Sequence, residues 1–278
     1  MIRGIYTAAS GMMVQMEREN VISNNIANIN TVGYKKDQTV IKHFPEFEIY
    51  RKDDEKINTP FEHKSILTPI GTLGTGAFVD DVYTEFTQGN IIKTDNKLDF
   101  AIEGKELFVV EDKGNIYLQR SGNFSVDKDG FLVNMIGGKL LGYSADGRAG
   151  YVKTTNADFT IYNNGNLINA EVTGDIENIG IINKTEPNID KLMVVNVENL
   201  SKINKIGDGY YSLNDVGNIE IASEFKLHQG HIEESTVNTV KEMVEMITCS
   251  RAYETNQKVL TTHSEMLSKV VGEVGKWT

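Results

Sequence analysis

The chain has 278 residues, 28 Lys and Arg against 39 Asp and Glu for a formal charge of −11, and a 40% hydrophobic fraction that suffices for one large core or two small ones. This excludes collagen and wholesale disorder, and the acidic balance opposes binding of nucleic acid or anionic membrane through a broad basic field. One cysteine, Cys249, allows no disulfide framework within the chain, and together with five scattered histidines it cannot supply a Cys-rich zinc site. The N-terminus lacks the continuous apolar stretch of about 7 to 15 residues that a cleaved secretory leader needs. No run of about 18 apolar residues is present to span a bilayer.

From the N-terminus, Ile5, Ala8, Met12, Ile22, Ile26 and Ile29 recur at helical spacing, with Gln15 and Glu19 interrupting where Met16 lies alongside. The pattern predicts a helix over roughly residues 2 to 28, about 40 Å long. Asn-rich and β-branched residues in SNNIANINTVGY, with Gly33 free to take a positive φ, predict a turn at its end. Asn20, Asn24 and Asn28 recur every four residues beside the isoleucine stripe, an amide ladder suited to a hydrogen-bonding interface.

Residues 35 to 75 mix charge blocks, isolated aromatics and three of the four prolines, and are read as an extended connector. Between Gly71 and Gly230 lie 20 of the 25 glycines, at intervals that suit turns between short strands. Lys-Gly-Asn at 113 to 115, Ser-Gly-Asn at 121 to 123, Lys-Asp-Gly at 128 to 130 and Asn164-Gly165 carry hairpin-turn chemistry. Residues 76 to 230 are therefore predicted to form an all-β domain, without the strand-helix alternation of a Rossmann-type sheet.

Toward the C-terminus no glycine interrupts residues 231 to 271. Val237, Val240, Val244 and Ile247 form one stripe, and the seam then shifts to Cys249, Tyr253, Asn256, Leu260, His263, Leu267, Val270 and Val274. That predicts a helix approaching 43 residues, or about 64 Å. A narrow seam on so long a helix needs a partner helix, from the N-terminus, from other subunits or from both. Asn256 either sits inside the seam, where it favours one register, or points outward if the seam drifts. The expected fold class is α+β: a coiled-coil domain of long N- and C-terminal helices (1–34 and 231–278), the 35–75 connector and the 76–230 β domain.

Candidate chemistry is sparse. GTLGTG at 71 to 76 lacks the Lys-Ser/Thr of a phosphate loop and runs into strand-like Ala77, Phe78 and Val79, so it is read as a strand-entry turn. VDKDGF at 126 to 131 lacks the closing Glu and flanking helices of a calcium loop. His228 and His231 are read as solvated loop histidines rather than metal ligands, and Cys249 as a packing residue. Adjacent carboxylates such as Glu233-Glu234 diverge in any regular element. The chain is thus expected to be no enzyme, with no catalytic, cofactor-binding or metal residues, no small-molecule substrate and no nucleic-acid partner.

The N-terminal IYTAASGM and VISNNIANINTVGYK, together with the C-terminal VNTVKEMVEMITCSRAYETNQKVL, resemble the two terminal signatures of the bacterial flagellar rod, hook and hook-associated axial proteins. The similarity rests on Asn24-Asn25-x-Ala27-Asn28 with Gly33-Tyr34, and on Arg251-Ala252-Tyr253-Glu254 with Asn256. GTGAFVDDVYTEFTQGNIIKTDNKLDFAIEGKELFVV and YLQRSGNFSVDKDGFLVN are similar to the opening of the β domain in basal-body rod proteins. The resemblance implies a structural rod subunit, proximal or distal, that self-assembles through its terminal helices into the tubular drive shaft joining motor to hook. It implies export by the flagellar type III apparatus without a cleaved leader, a place in the basal body outside the cytoplasmic membrane, and copies of itself and other rod and hook proteins as partners. Joined to the stripes above, it puts the assembly interface on Ile5, Met12, Ile22, Asn24, Asn25, Ile26 and Asn28, and on Val240, Val244, Ile247, Arg251, Tyr253, Asn256, Leu260 and Leu267. The alternative from another class is a secreted β-rich adhesin or hydrolase with a helical stalk.

Overall fold

A computed structural model describes residues 2–51, 56–59, 62–65, 68–144, 148–154, 159–168, 170–174, 190–197, 203–212, 219–222 and 225–274. Among them the fold is α+β, with a helix at each end, α1 (Ile2–Ala27) and α2 (Thr239–Val274), and strands between. The chain divides into two compact units: Met1–Asn24, Asp37–Tyr83 and Val240–Thr278 form one, and Asn25–Lys36 with Thr84–Thr239 form the other. Neither helix is long and apolar enough to cross a membrane.

The larger unit is built on antiparallel pairing. One continuous path runs Phe124–Val126, Leu132–Asn134, Lys139–Tyr143, Leu107–Asp112, Asn115–Gln119, Tyr210–Ser212 and Lys205–Gly207. Strands Ala149–Thr154 and Val194–Val197 branch from it. The run Leu107-Phe108-Val109-Val110 is apolar without alternation because both of its faces are covered. Successive side chains point to opposite faces. Phe108 and Val110 join a core containing Phe100, Phe124 and Leu140, whereas Leu107 and Val109 join one containing Leu118, Leu141 and Tyr211. Phe108 meets Phe124 edge to face at 5.6 Å, a favoured aromatic geometry.

Turn chemistry explains most connections. Lys113 (φ 50) and Gly114 (φ 85) join Leu107–Asp112 to Asn115–Gln119 as a two-residue hairpin. VDKDGF is a hairpin turn between Phe124–Val126 and Leu132–Asn134, and Asn164-Gly165 turns Thr160–Ile161 into Leu167–Ile168. Ser121-Gly122-Asn123 departs from expectation, since the strands on either side of it pair with other partners. The chain passes there against another strand: Phe100 N–H donates to the Gly122 carbonyl at 2.8 Å.

In the smaller unit, Asp37–His43 pairs with Ala77–Thr84, and Phe47–Arg51 pairs antiparallel with Thr68–Leu73. The 35–75 stretch therefore contains paired strands, stitched by the Phe44–Phe78 ring contact at 5.0 Å and the Lys42–Asp80 ion pair at 2.6 Å. GTLGTG ends one of these strands and leads into the next, as a strand-entry turn.

α1 ends within one residue of expectation, whereas α2 begins later than expected. α1 stops at Ala27, so Asn28 lies in the following turn and no helical ladder reaches it. α2 has 36 residues because His231–Glu233 is a strand paired with Ile91–Lys93, and the helix begins only after Asn238, a residue type favoured at helix N-termini. His228 and His231 lie in two successive strands, with His228 hydrogen-bonded to Glu103 at 3.1 Å.

Phe108→Ala should empty a fully enclosed site and lower the free energy of unfolding by about 3 to 5 kcal/mol, read from urea denaturation of the full chain.

Candidate assembly interface

Within the smaller unit, α1 and α2 meet along a line with a definite register. A Cβ built on Gly4 would stand 3.1 Å from His263 Nε2, and one built on Gly11 would stand 2.9 Å from Asn256 Nδ2. One heptad further on, the Arg18 guanidinium acts electrostatically on Cys249. As the α1 numbers rise by seven the α2 numbers fall by seven, so the helices run antiparallel with one face of each turned to the other. The glycines leave room for an imidazole and an amide, side chains that interior helix packing ordinarily excludes.

Burial follows this line. On α2, Cys249 is fully buried and Tyr253, Asn256, Leu260, His263 and Leu267 are half-buried. Asn256 thus lies on the side facing α1. On α1, Ala8, Val14 and Ile22 are buried, and Ile5 and Met12 are half-buried. Burial pushes the Cys249 thiol up, against a smaller downward pull from Arg18. His263 Nδ1 is buried without a hydrogen-bond partner.

A second face of each helix is left open. Val240, Val244 and Ile247, expected as the start of the seam, are 73%, 57% and 54% exposed, with Met243 among them. On α1, Tyr6, Met13 and Met16 are likewise exposed. Beside the helices the strands Phe47–Arg51 and Thr68–Leu73 help to enclose a cleft of about 940 Å³, lined by Tyr6, Ala8, Phe47, Ile49, Leu73 and Val259.

The remaining expected interface residues are placed as follows. Arg251 and Asn24 are exposed, and Ile26 and Asn28 are half-buried. Asn25 is enclosed within its own unit, where the Tyr34 hydroxyl donates to its side-chain oxygen at 3.2 Å. Among the described residues, no group of three or more His, Cys, Asp or Glu is placed to hold a metal ion.

Two family models match the regions that carry these contacts. One, described as flagella basal body rod protein, covers residues 5–35, and the other, described as flagellar basal body rod FlgEFG protein C-terminal, covers residues 228–272. The chain is similar along its length to the flagellar basal-body rod protein FlgG of Agrobacterium fabrum, 33% identical over 97% of this chain and 98% of the relative. It is also similar to FlgG of Buchnera aphidicola subsp. Baizongia pistaciae, 32% identical over 97% and 99%. The flagellar hook-basal body complex protein FlhO of Bacillus subtilis is 30% identical over 99% and 100%. The chain belongs to the flagellar basal-body rod protein family. It is a structural subunit of the rod, and these comparisons give no support to the adhesin or hydrolase alternative.

In this rod protein the α1 side of the helix register rests on residues that apolar periodicity did not select. Gly4, Gly11 and Arg18 recur every seven residues opposite His263, Asn256 and Cys249. The signal was present in the sequence as a heptad of small and polar residues, one step off the isoleucine and methionine stripe.

Gly11→Ala should reverse sign with its partner. In an isolated helix it gains about 1 kcal/mol, but here the Asn256 amide must move. Between the natural and Asn256→Ala backgrounds its effect on the helical transition, followed by far-ultraviolet circular dichroism, should differ by about 1 kcal/mol or more. Cys249 should react with iodoacetamide on the order of tenfold or more slowly than a small free thiol at the same pH, because a raised pKa leaves less thiolate and the sulfur is enclosed. Unfolding in urea should abolish the difference.

Proposed function

We propose that this rod protein assembles with copies of itself through its terminal helices into a tube that transmits torque from motor to hook. The observation that carries the reading is the pair of apolar faces left open after α1 and α2 have packed on each other. Val240, Met243, Val244 and Ile247 recur at i, i+3, i+4 and i+7, which is the spacing of a helix-packing stripe rather than of a solvated surface. Tyr6, Met13 and Met16 offer a second one on α1.

α1 and α2 form an antiparallel coiled coil in this reading, with Gly4, Gly11 and Arg18 facing His263, Asn256 and Cys249. The open stripes then dock on neighbouring copies. The α1 and α2 stripes are different surfaces, so the contact is head to tail, and a head-to-tail contact that does not close produces a helical array. The residues expected at the assembly interface divide accordingly. Leu260, Leu267, Tyr253, Asn256, Ile5, Met12 and Ile22 serve the pairing of α1 with α2, and Val240, Val244, Ile247 and Arg251 face other subunits. Other rod and hook proteins continue the stack at its ends, and the subunit reaches its place outside the cytoplasmic membrane through the flagellar type III export apparatus.

The test is Val240→Asp with Val244→Asp, introduced into a strain that lacks the chromosomal copy. The purified double variant is expected to keep the wild-type circular dichroism spectrum, since both positions are exposed. The cells should fail to swim, and electron microscopy should show basal bodies that stop at the rod. Normal swimming with complete rods would overturn the reading.

A further inference from the structure

The larger unit holds a buried charge cluster where its two ends meet. Glu233, the last residue of the strand His231–Glu233, accepts from Lys35 Nζ at 2.5 Å through Oε1 and from Arg120 Nε at 2.5 Å through Oε2. The Gly89 amide donates to the same Oε1 at 2.7 Å. All three charged side chains are 3% exposed or less. Backbone carbonyls accept from them as well: Arg120 Nη2 reaches the carbonyls of Ile102 and Gly104 at 2.7 Å each, Nη1 reaches that of Glu106, and Lys35 Nζ also reaches that of Thr87 at 2.5 Å. Burial draws the Lys35 ammonium below the usual lysine value, with Glu233 opposing the shift.

Backbone contacts run alongside. Gly33 N–H donates to the Glu233 carbonyl at 2.8 Å, and Thr236 N–H donates to the Tyr34 carbonyl at 3.1 Å. Gly33 has φ +68, and a Cβ there would stand 2.8 Å from the backbone of Arg120 and Ser121, so the approach requires glycine. Lys205 Nζ donates to the Lys35 carbonyl at 2.5 Å and sits 4.1 Å from the centre of the Tyr34 ring.

Stability alone is a weak reason for such a cluster. A buried ion pair is often matched by well-packed apolar residues, whereas removing one partner is costly because it strands the other. What the cluster adds is directional: it ties residues 33–36, which follow α1, to residues 231–236, which precede α2, and ties both to Arg120 at the end of strand Asn115–Gln119. The family match at one end stops at residue 35 and the match at the other begins at 228, so both reach beyond the helices to this point.

We propose that Lys35, Glu233 and Arg120 form a clasp that locks the two chain segments joining the β domain to the helices and passes load between those segments and the central sheet. The inference rests on the reading of the chain as a torque-carrying subunit. A segment under load peels from a sheet one backbone bond at a time. Charge-assisted bonds from two directions to one carboxylate make the segments yield together or not at all. Lys35, Glu233 and Arg120 are positioning residues here.

The test compares Glu233→Gln and Lys35→Met with the natural full-length protein. In hydrogen exchange, amides of residues 33–36 and 233–236 should exchange roughly a hundredfold faster in Glu233→Gln, the factor that corresponds to stranding buried partners. Protection of Leu107–Asp112 and Asn115–Gln119 should persist in Lys35→Met, which leaves the Arg120–Glu233 pair whole. In cells lacking the chromosomal copy, Glu233→Gln should build rods yet lose swimming speed disproportionately as medium viscosity rises. Unchanged exchange at both segments, or wild-type swimming at every viscosity, overturns the clasp. So does loss of sheet protection in Lys35→Met, which would make the cluster a support of the whole unit. If the wild-type gene itself fails to restore swimming, the rod reading falls and the clasp falls with it.

Discussion

Two helices joined by more than two hundred residues can cover only one stripe of each other, and the apolar faces left exposed on both follow from that limit. The contact between α1 and α2 uses Gly4, Gly11 and Arg18 against His263, Asn256 and Cys249. This is a thin seam in which the apolar surface comes from residues beside it, such as Ala8, Val14 and Ile22. Larger side chains in place of the glycines would gain area but collide with the His263 and Asn256 side chains and push the helices apart. The stripe through Val240, Val244 and Ile247 is left over by geometry, because side chains about 100° apart around one axis cannot all face one partner. In a monomeric enzyme such a surface is a liability, and in a rod subunit it is the surface proposed above to meet the next copy.

The β unit solves a different problem. Its central strand Leu107–Asp112 is buried on both faces, so the unit has two cores divided by one sheet rather than a single core with a wet face. Its edges are short strands and turns in which glycines, Asp95, Lys113 and Asp208 take positive φ. A buried glutamate in such a unit needs compensation, and the Glu233 carboxylate receives it from two cations and the Gly89 amide at once. Its neighbour Glu234 turns outward, as adjacent residues on a strand must.

Much of this was legible in the residues. The isoleucine and methionine stripe located the N-terminal helix, freedom from glycine between 231 and 271 located the C-terminal one, and Lys-Gly, Lys-Asp-Gly and Asn-Gly located hairpins. The seam from Cys249 through Tyr253, Asn256, Leu260, His263 and Leu267 was readable because its spacing of three and four has no other economical meaning. Misreadings came where local pattern has more than one tertiary solution. Ser121-Gly122-Asn123 has hairpin chemistry but serves a crossing beside Phe100. The 231–238 stretch lacks helix breakers, yet its first residues pair with Ile91–Lys93, since a strand bonded to a neighbour outcompetes a helix end with nothing to pack against.

The sequence by itself determined the division into helical ends and a β-rich middle, and the family, because periodicity, glycine placement and terminal signatures are local properties; the strands within 35–75 and at His231–Glu233 it left to pairing. Only the tertiary structure decided which helix face is inside, which carboxylate of the Glu233-Glu234 pair is buried, and that Lys35 and Arg120 share it. Those outcomes depend on contacts between residues remote along the chain, 198 positions apart for Lys35 and Glu233, and a charge in a sequence carries no mark of the partner that will desolvate it.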